Sequence, residues 1–473
     1  MVERLIAKIR KLCGDPISLM ILLAILFTAF VSLIPLFFGS LHTGAELPYQ
    51  LFRIEGIKRG LLEWHFPVRV QSIQNSGYGY ANGIFNPDIF LYFPAVLRIL
   101  GFSISASYKL FIVICSLFTG TTAYFCIKRL FDSRYAGLLA AVGSLLYNYR
   151  LIDIYTRADL GEVTAFIFLP LVVLGCYEIA FGRYKNWKLL AIGFAGILLS
   201  HVAFAFVTLG FLILCVIVFL IVRMPGKSAR FISLAKAGGF SILLTIFFWL
   251  PLMEQLKNDR YSLHVYSAVQ IVQLVASWIT FIILIVLCFI INKYITGKRA
   301  MTLVFGILLV CLSAGSVITF YSYFKAENLN PGENYFLMHT DSDMNPTGGL
   351  DNYYVDSIGP GEYMPQGIYS MEAFYERSKI VISDDPEFTF NNLVRNGTTL
   401  SFDYTASDKC TYFDVPFLYY KGYKAYMTDP EGTVIEFSVV KGDNACVRIL
   451  HSGIPYGTVI VRYDGTDRQH FAD

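Results

Sequence analysis

The chain has 473 residues, of which 55% are apolar and only 15% are charged, with a mean hydropathy of +0.54. That balance excludes an ordinary soluble globular protein, because several uncharged runs are long enough to cross a bilayer. The net charge of +3 is small and its basic residues sit in short clusters between apolar runs, which argues against a nucleic-acid partner.

At the N-terminus, Arg4, Lys8, Arg10 and Lys11 precede an apolar run of about 22 residues. The run is long for a signal-peptide core and no small-residue cleavage site follows, so it predicts a retained membrane anchor. Between this helix and the rest of the chain lies a polar, aromatic, glycine-dotted loop, His42–Pro87. Glu46 stands before Pro48 and a short amphipathic helix in which Leu47, Leu51, Ile54, Ile57 and Leu61 recur and which contains Arg53. Trp64 follows, then Tyr78 and Tyr80 flanked by Gly77 and Gly79, then Phe85-Asn86-Pro87.

Residues 88–101 hold too few apolar positions to span, with Arg98 and Pro94 inside, and predict an amphipathic surface helix with Asp88 as its cap and Gly101 at its end. Further apolar runs cover about 107–127, 135–150, 163–181, 189–222, 231–252, 270–292 and 301–324. The 189–222 run would be about 51 Å long as one helix, against a hydrocarbon core of about 30 Å. Basic residues bound it at both ends (Arg183, Lys185, Lys188; Arg223, Lys227, Arg230), so it reads as a hairpin turning near Ser200-His201. Nine crossings then place every basic cluster on the cytoplasmic side. The 42–87 loop, the Tyr155–Glu162 segment, the His201 turn and everything after residue 324 fall outside.

From Lys325 the composition turns to Gly, Asn, Asp, Pro and Tyr. Residues 325–378 read as loop. Short alternating runs at 379–383, 388–391, 399–405, 411–415, 423–427, 433–440, 446–450 and 458–463 predict seven or eight strands of an extracytoplasmic β-sandwich. The expected fold is therefore an α-helical polytopic membrane domain (1–324, with an exterior first loop 39–106), followed by a C-terminal β-sandwich domain (325–473). Of nine cysteines, only Cys410 and Cys446 fall in the polar C-terminal part, where a disulfide stays open; the others show no metal-ligand spacing.

Each candidate group has a plainer reading. Glu46 suits a helix N-terminus, where the dipole favours a carboxylate. As an exterior acid it could equally serve as a general base toward an acceptor hydroxyl. Asp159 and Glu162 have capping-box spacing, whereas an exterior Arg157 suits a phosphate, bidentately. Trp64, Tyr78, Tyr80 and Phe85 are either interfacial aromatics or stacking surfaces for a sugar ring or prenyl chain. His201 fits a structural role at its turn. No P-loop, dinucleotide fingerprint, Ser/His/Asp set or zinc motif is present.

The order of these features, Glu46, Tyr49-Gln-Leu-Phe-Arg53, Trp64, Gly77-Tyr-Gly-Tyr80, Phe85-Asn86-Pro87, a surface helix and Tyr155-Thr-Arg157 with Glu162, resembles bacterial YfhO-like membrane proteins. These are also described as 6-pyruvoyl-tetrahydropterin-synthase-related integral membrane proteins and belong to the GT-C class of glycosyltransferases. Gly361-Glu-Tyr-Met-Pro365 and Tyr419-Tyr-Lys-Gly-Tyr423 extend the resemblance into the outer domain. It implies an inverting transferase of the bacterial plasma membrane that moves a sugar from a polyprenyl-phosphate donor to a cell-wall polymer or lipid-linked glycan. Glu46 and Glu162 would be catalytic. Arg53, Arg157, Trp64, Tyr78, Tyr80, Asn86, Tyr155 and His201 would bind substrate, and a divalent cation, Mg²⁺ or Mn²⁺, stays open as cofactor. Glu46 takes the place of the class's Asp, and Gln50 stands where relatives show His. The competing expectation is a non-catalytic scaffold or transporter with a surface-binding β domain.

Overall fold

The computed structural model describes residues 15–38, 41–42, 44–75, 77–221, 226–262, 267–294, 298–326, 328–329, 363–368, 380–429 and 431–473. The basic N-terminal cluster, Cys13, Arg223, Gly361, Glu362 and most of the 325–378 loop lie outside the described residues. The chain divides into two units. The first is formed by Met1–Leu47, Ser105–Thr245 and Tyr266–Asn330, the second by Pro48–Ile104, Ile246–Val265 and Pro331–Asp473. The expected first loop, 39–106, is thus shared between them, and most of it groups with the C-terminal strands.

The first unit is helical. Among the described residues, Pro16–Phe37, Ile104–Phe131, Val202–Ile221 and Ala268–Tyr294 are long and apolar enough to cross a membrane, and a fifth span results if Lys227–Leu244 counts as one broken helix with Ile246–Asn258 of the second unit. Asp15 opens the first of these by accepting from Ile17 N–H, with Pro16 at the first turn, where its missing N–H costs nothing. Helix Lys298–Lys325 occupies the 301–324 run, and shorter helices, Arg134–Leu145, Leu169–Ala180 and Lys188–Leu198, lie in the 135–150, 163–181 and 189–222 runs. The 189–222 run does break at 199–201, where its length and flanking charges predict a turn, but its first arm has only 11 residues. A core of Phe166, Leu169, Ile197, Phe204, Trp278 and Phe281 joins these helices. Strands β1 (Leu41–His42) and β2 (Asn328–Leu329) pair antiparallel.

In the second unit, helix Leu47–Leu62 buries Leu51, Ile54 and Ile57. The predicted surface helix forms as Tyr92–Ile99, preceded by a 3₁₀ turn at Ile89–Leu91. It buries Leu91, Pro94 and Ala95 and exposes Ile89, Phe93, Val96 and Leu100. Gly101 ends it with φ +93°, as Phe102 N–H returns to Leu97 O. Asp88 makes no cap: its carboxylate accepts from Arg53 Nε at 3.0 Å, because a buried guanidinium needs a partner more than a helix end near solvent needs a cap.

The C-terminal strands are β3 (Ile382–Ser383), β4 (Thr389–Asn396), β5 (Thr399–Thr405), β6 (Tyr412–Leu418), β7 (Tyr423–Thr428), β8 (Val434–Phe437), β9 (Val439–Lys441), β10 (Cys446–Leu450) and β11 (Tyr456–Tyr463). They form a four-stranded sheet, β3-β6-β10-β9, and a five-stranded sheet, β4-β5-β11-β7-β8. Along β5 and β7 buried and half-buried residues alternate, the period-2 pattern of a sheet with one packed face. No disulfide joins Cys410 and Cys446.

Candidate functional site

The site in the first unit is made where two loops meet backbone to backbone. Ala45 N–H donates to Thr156 O at 3.0 Å and Glu46 N–H to Arg157 O at 2.8 Å. Gly44 permits this approach, since a Cβ there would lie 2.9 Å from Ala158 Cβ and 3.2 Å from Thr156 O. The second loop is a π-helical turn, Asp153–Arg157, closed by Ala158 in the left-handed region at φ 60°. A non-glycine residue held there is strained, and π turns recur at functional sites. The turn reverses the chain so that Asp159 caps the next helix, accepting from Glu162 N–H at 3.0 Å. Glu162 does not complete a capping box; its side chain turns inward instead.

Arg157 is the centre. Nη1 donates to Glu162 Oε1 at 2.7 Å, Asp153 Oδ1 at 2.9 Å and Tyr149 Oη at 3.1 Å. Nη2 donates to Asp159 Oδ2 at 3.1 Å and lies 3.8 Å from Glu46 Oε1. Tyr149 O–H in turn donates to Glu162 Oε2 at 2.7 Å. Asp153, Asp159 and Glu162 are buried, whereas the side chains of Arg157 and Glu46 keep 23% and 37% of their exposure. The cluster is therefore closed on its acid side and open at Glu46.

Burial sets the charge of this cluster. It pushes the Glu162 carboxyl up to about 8, with the Asp159 charge adding to the effect and Arg157 opposing it. Burial raises Asp153 too, reinforced by Glu162. Burial also disfavours the Asp159 carboxylate, but His201, Arg157 and the Glu162 N–H outweigh it and hold its pKa below the ordinary value. Burial therefore disfavours the charged forms of Glu162 and Asp153, while Asp159 is the most readily ionised of the three buried acids around Arg157.

Asp159, Glu162 and His201 offer ligand atoms within 4.8 Å of one another, close enough to hold a cation. The donor set does not fit one as arranged. His201 caps helix Val202–Ile221, its Nδ1 accepting from Phe204 N–H at 3.1 Å. That fixes the proton on Nε2, 3.6 Å from Asp159 Oδ2, so this nitrogen is a donor and not a ligand. Arg157 already holds Asp159 Oδ2 and Glu162 Oε1.

A comparison with protein-family models gave no match. The chain is 28% identical over 247 residues to an uncharacterized protein of Lactococcus lactis subsp. cremoris (strain MG1363). The matched stretch covers half of this chain and 40% of that relative. Neither observation assigns a family.

Of the residues singled out by sequence, Glu46, Arg157, Glu162 and His201 come together in this cluster. Tyr155 does not take part: its hydroxyl donates to Ser32 O at 2.7 Å and its ring packs on Phe320 and Tyr323. The others belong to the second unit. Arg53 is buried against Asp88 and Gln50, with Nη1 donating to Gln50 Oε1 at 3.0 Å. Tyr78 and Tyr80 are only 2% and 1% exposed, so their rings are core and present no stacking face. Asn86 donates to Tyr49 Oη and Asn82 Oδ1. Trp64 is 94% exposed, with φ 62°. Sequence reasoning missed Tyr149 and Asp153, although the four-residue spacing of Asp153 and Arg157 was a usable signal.

Proposed function

We propose that the chain is an inverting glycosyltransferase that moves a sugar from a polyprenyl-phosphate donor to a cell-envelope acceptor on the outer face of a bacterial plasma membrane. In this reading nine crossings place the N-terminus in the cytoplasm, and the two C-terminal sheets form an extracytoplasmic β-sandwich that holds the acceptor. One observation carries it: Glu46 and Arg157, 111 positions apart in sequence, stand side by side at the open edge of a buried acid cluster.

The roles follow from exposure. Arg157, held on one side by Asp153, Asp159 and Glu162, presents its exposed edge to the donor phosphate. Glu46 takes the proton of the acceptor hydroxyl as its oxygen attacks the anomeric carbon. The bond from that carbon to the phosphate oxygen breaks with its electron pair on the phosphate, so no strong acid is required. Burial disfavours the charged forms of Glu162 and Asp153, which lowers the negative charge that the phosphate meets. Tyr149 positions Glu162.

The test is transfer of labelled sugar from a panel of polyprenyl-phosphate donors by purified protein, wild type against Arg157→Lys. Transfer by wild type, with the donor KM raised at least tenfold in the variant, supports the reading. No transfer from any donor would leave the non-catalytic scaffold in its place.

A further inference from the structure

The second unit contains a cavity of about 250 Å³, independent of the Arg157 cluster. Phe66, Ile89, Tyr92, Phe247 and Phe248 wall it. One end is polar, formed by Arg69, Asp88 and Asp473. Asp88 is already compensated by Arg53, which donates to it through Nε at 3.0 Å. The working pair is therefore Arg69 with Asp473, whose carboxylate accepts from Nη2. Arg69 is 7% exposed, and its Nε has no partner among the described residues. Tyr92 Oη accepts from Val68 N–H at 2.8 Å, which leaves its own proton for an acceptor.

A guanidinium this deep needs an anion, and the Asp473 side chain, at 23% exposure, is the more solvent-open partner. It can turn to water at low desolvation cost. The aromatic walls suit a hydrocarbon chain, and the wall residues Phe66 and Ile89 are exposed, as are Trp64 and Phe93 close to them in sequence. That combination is the pattern of a protein surface at headgroup depth. The volume falls below the range of about 300–1,000 Å³ typical of pockets that enclose a whole small molecule, so only the head-proximal part of a long chain fits.

We infer that this cavity binds an anionic amphiphile, its chain along the aromatic walls and its phosphate or carboxylate on Arg69, in the place Asp473 fills when the site is empty of lipid. Asp473 is then an internal competitor that sets the affinity. Two sources share this chemistry: an anionic bilayer lipid and a prenyl phosphate.

The experiment uses the full chain in phosphatidylcholine nanodiscs, photo-crosslinked with diazirine-tagged phosphatidylglycerol, prenyl phosphate or phosphatidylcholine, with labelled peptides mapped by mass spectrometry. Labelling of residues 66–69 and 89–92 at least tenfold above the choline lipid, by either anionic probe, supports the site, and the probe that labels identifies the source. Asp473→Asn raises that labelling several-fold. Arg69→Gln abolishes it, and Ile89→Trp, which fills the cavity without touching the ion pair, lowers it at least tenfold. Equal labelling by the choline lipid, or Asp473→Asn labelling at or below the wild-type level, overturns the proposal. Both outcomes are read without sugar transfer and so stand apart from the fate of the transferase reading.

Discussion

Glu162→Gln separates the protonated acid from the charged one. Folding raises the Glu162 pKa from its ordinary 4.5 to about 8, so between those values the folded chain holds a proton that the unfolded chain has released. Stability must then fall as pH rises through this window, by about 1.4 kcal/mol per unit. From pH 5 to pH 8 the wild type should lose on the order of a few kcal/mol relative to Glu162→Gln, which has no proton to lose at this position. For a domain of this size that corresponds to a difference on the order of 10 °C in Tm. Asp159 does not confuse the measurement: its lowered pKa gives stability that is lost only on acidification below the ordinary aspartate range. Thermal unfolding of both proteins in nanodiscs, from pH 5 to pH 8.5, gives the answer. Parallel profiles would show Glu162 to be ionised throughout and would refute the charge balance proposed for the cluster.

Three further substitutions probe the geometry. Arg157→Lys replaces five donors by one ammonium that cannot meet Asp153, Glu162 and Asp159 at once; it should cost about 2–4 kcal/mol in thermal unfolding. Gly44→Ala sets a methyl 2.9 Å from Ala158 Cβ, which should cost about 1–3 kcal/mol by overpacking and cut transfer at least tenfold. Ala158→Gly in the same chain should recover most of both losses, since it removes the clashing methyl and relieves the left-handed backbone. Asp88→Ala removes the carboxylate paired with the buried Arg53 and should cost about 3–5 kcal/mol, read as a lowered midpoint of unfolding.

The sequence carried more of the fold than of the site. The strands were legible because alternation and turn residues are local, and β5, β7 and β10 fall on the predicted runs. The break at 199–201 was legible because a helix of that length exceeds a bilayer. Tyr78 and Tyr80 were misleading, as glycine-flanked aromatics look alike whether an interface or a core receives them, and only tertiary packing decides. Glu46, Arg157 and Glu162 could be named from the pattern of polar residues between apolar runs. That Arg157 would be held by three acids and a tyrosine was not visible, because it depends on a π turn and a left-handed alanine that no local propensity requires. His201, expected either as structural at its turn or as a substrate ligand, is a helix cap whose remaining nitrogen faces Asp159.

The most direct measurement is single-turnover transfer of labelled sugar from a polyprenyl-phosphate donor, comparing wild type with Glu46→Gln at matched folding and saturating donor. A general base contributes roughly 10²–10⁴ in rate, so the variant should lose at least a hundredfold while its donor affinity is kept. Full transfer by Glu46→Gln would contradict the assignment of Glu46 as the base.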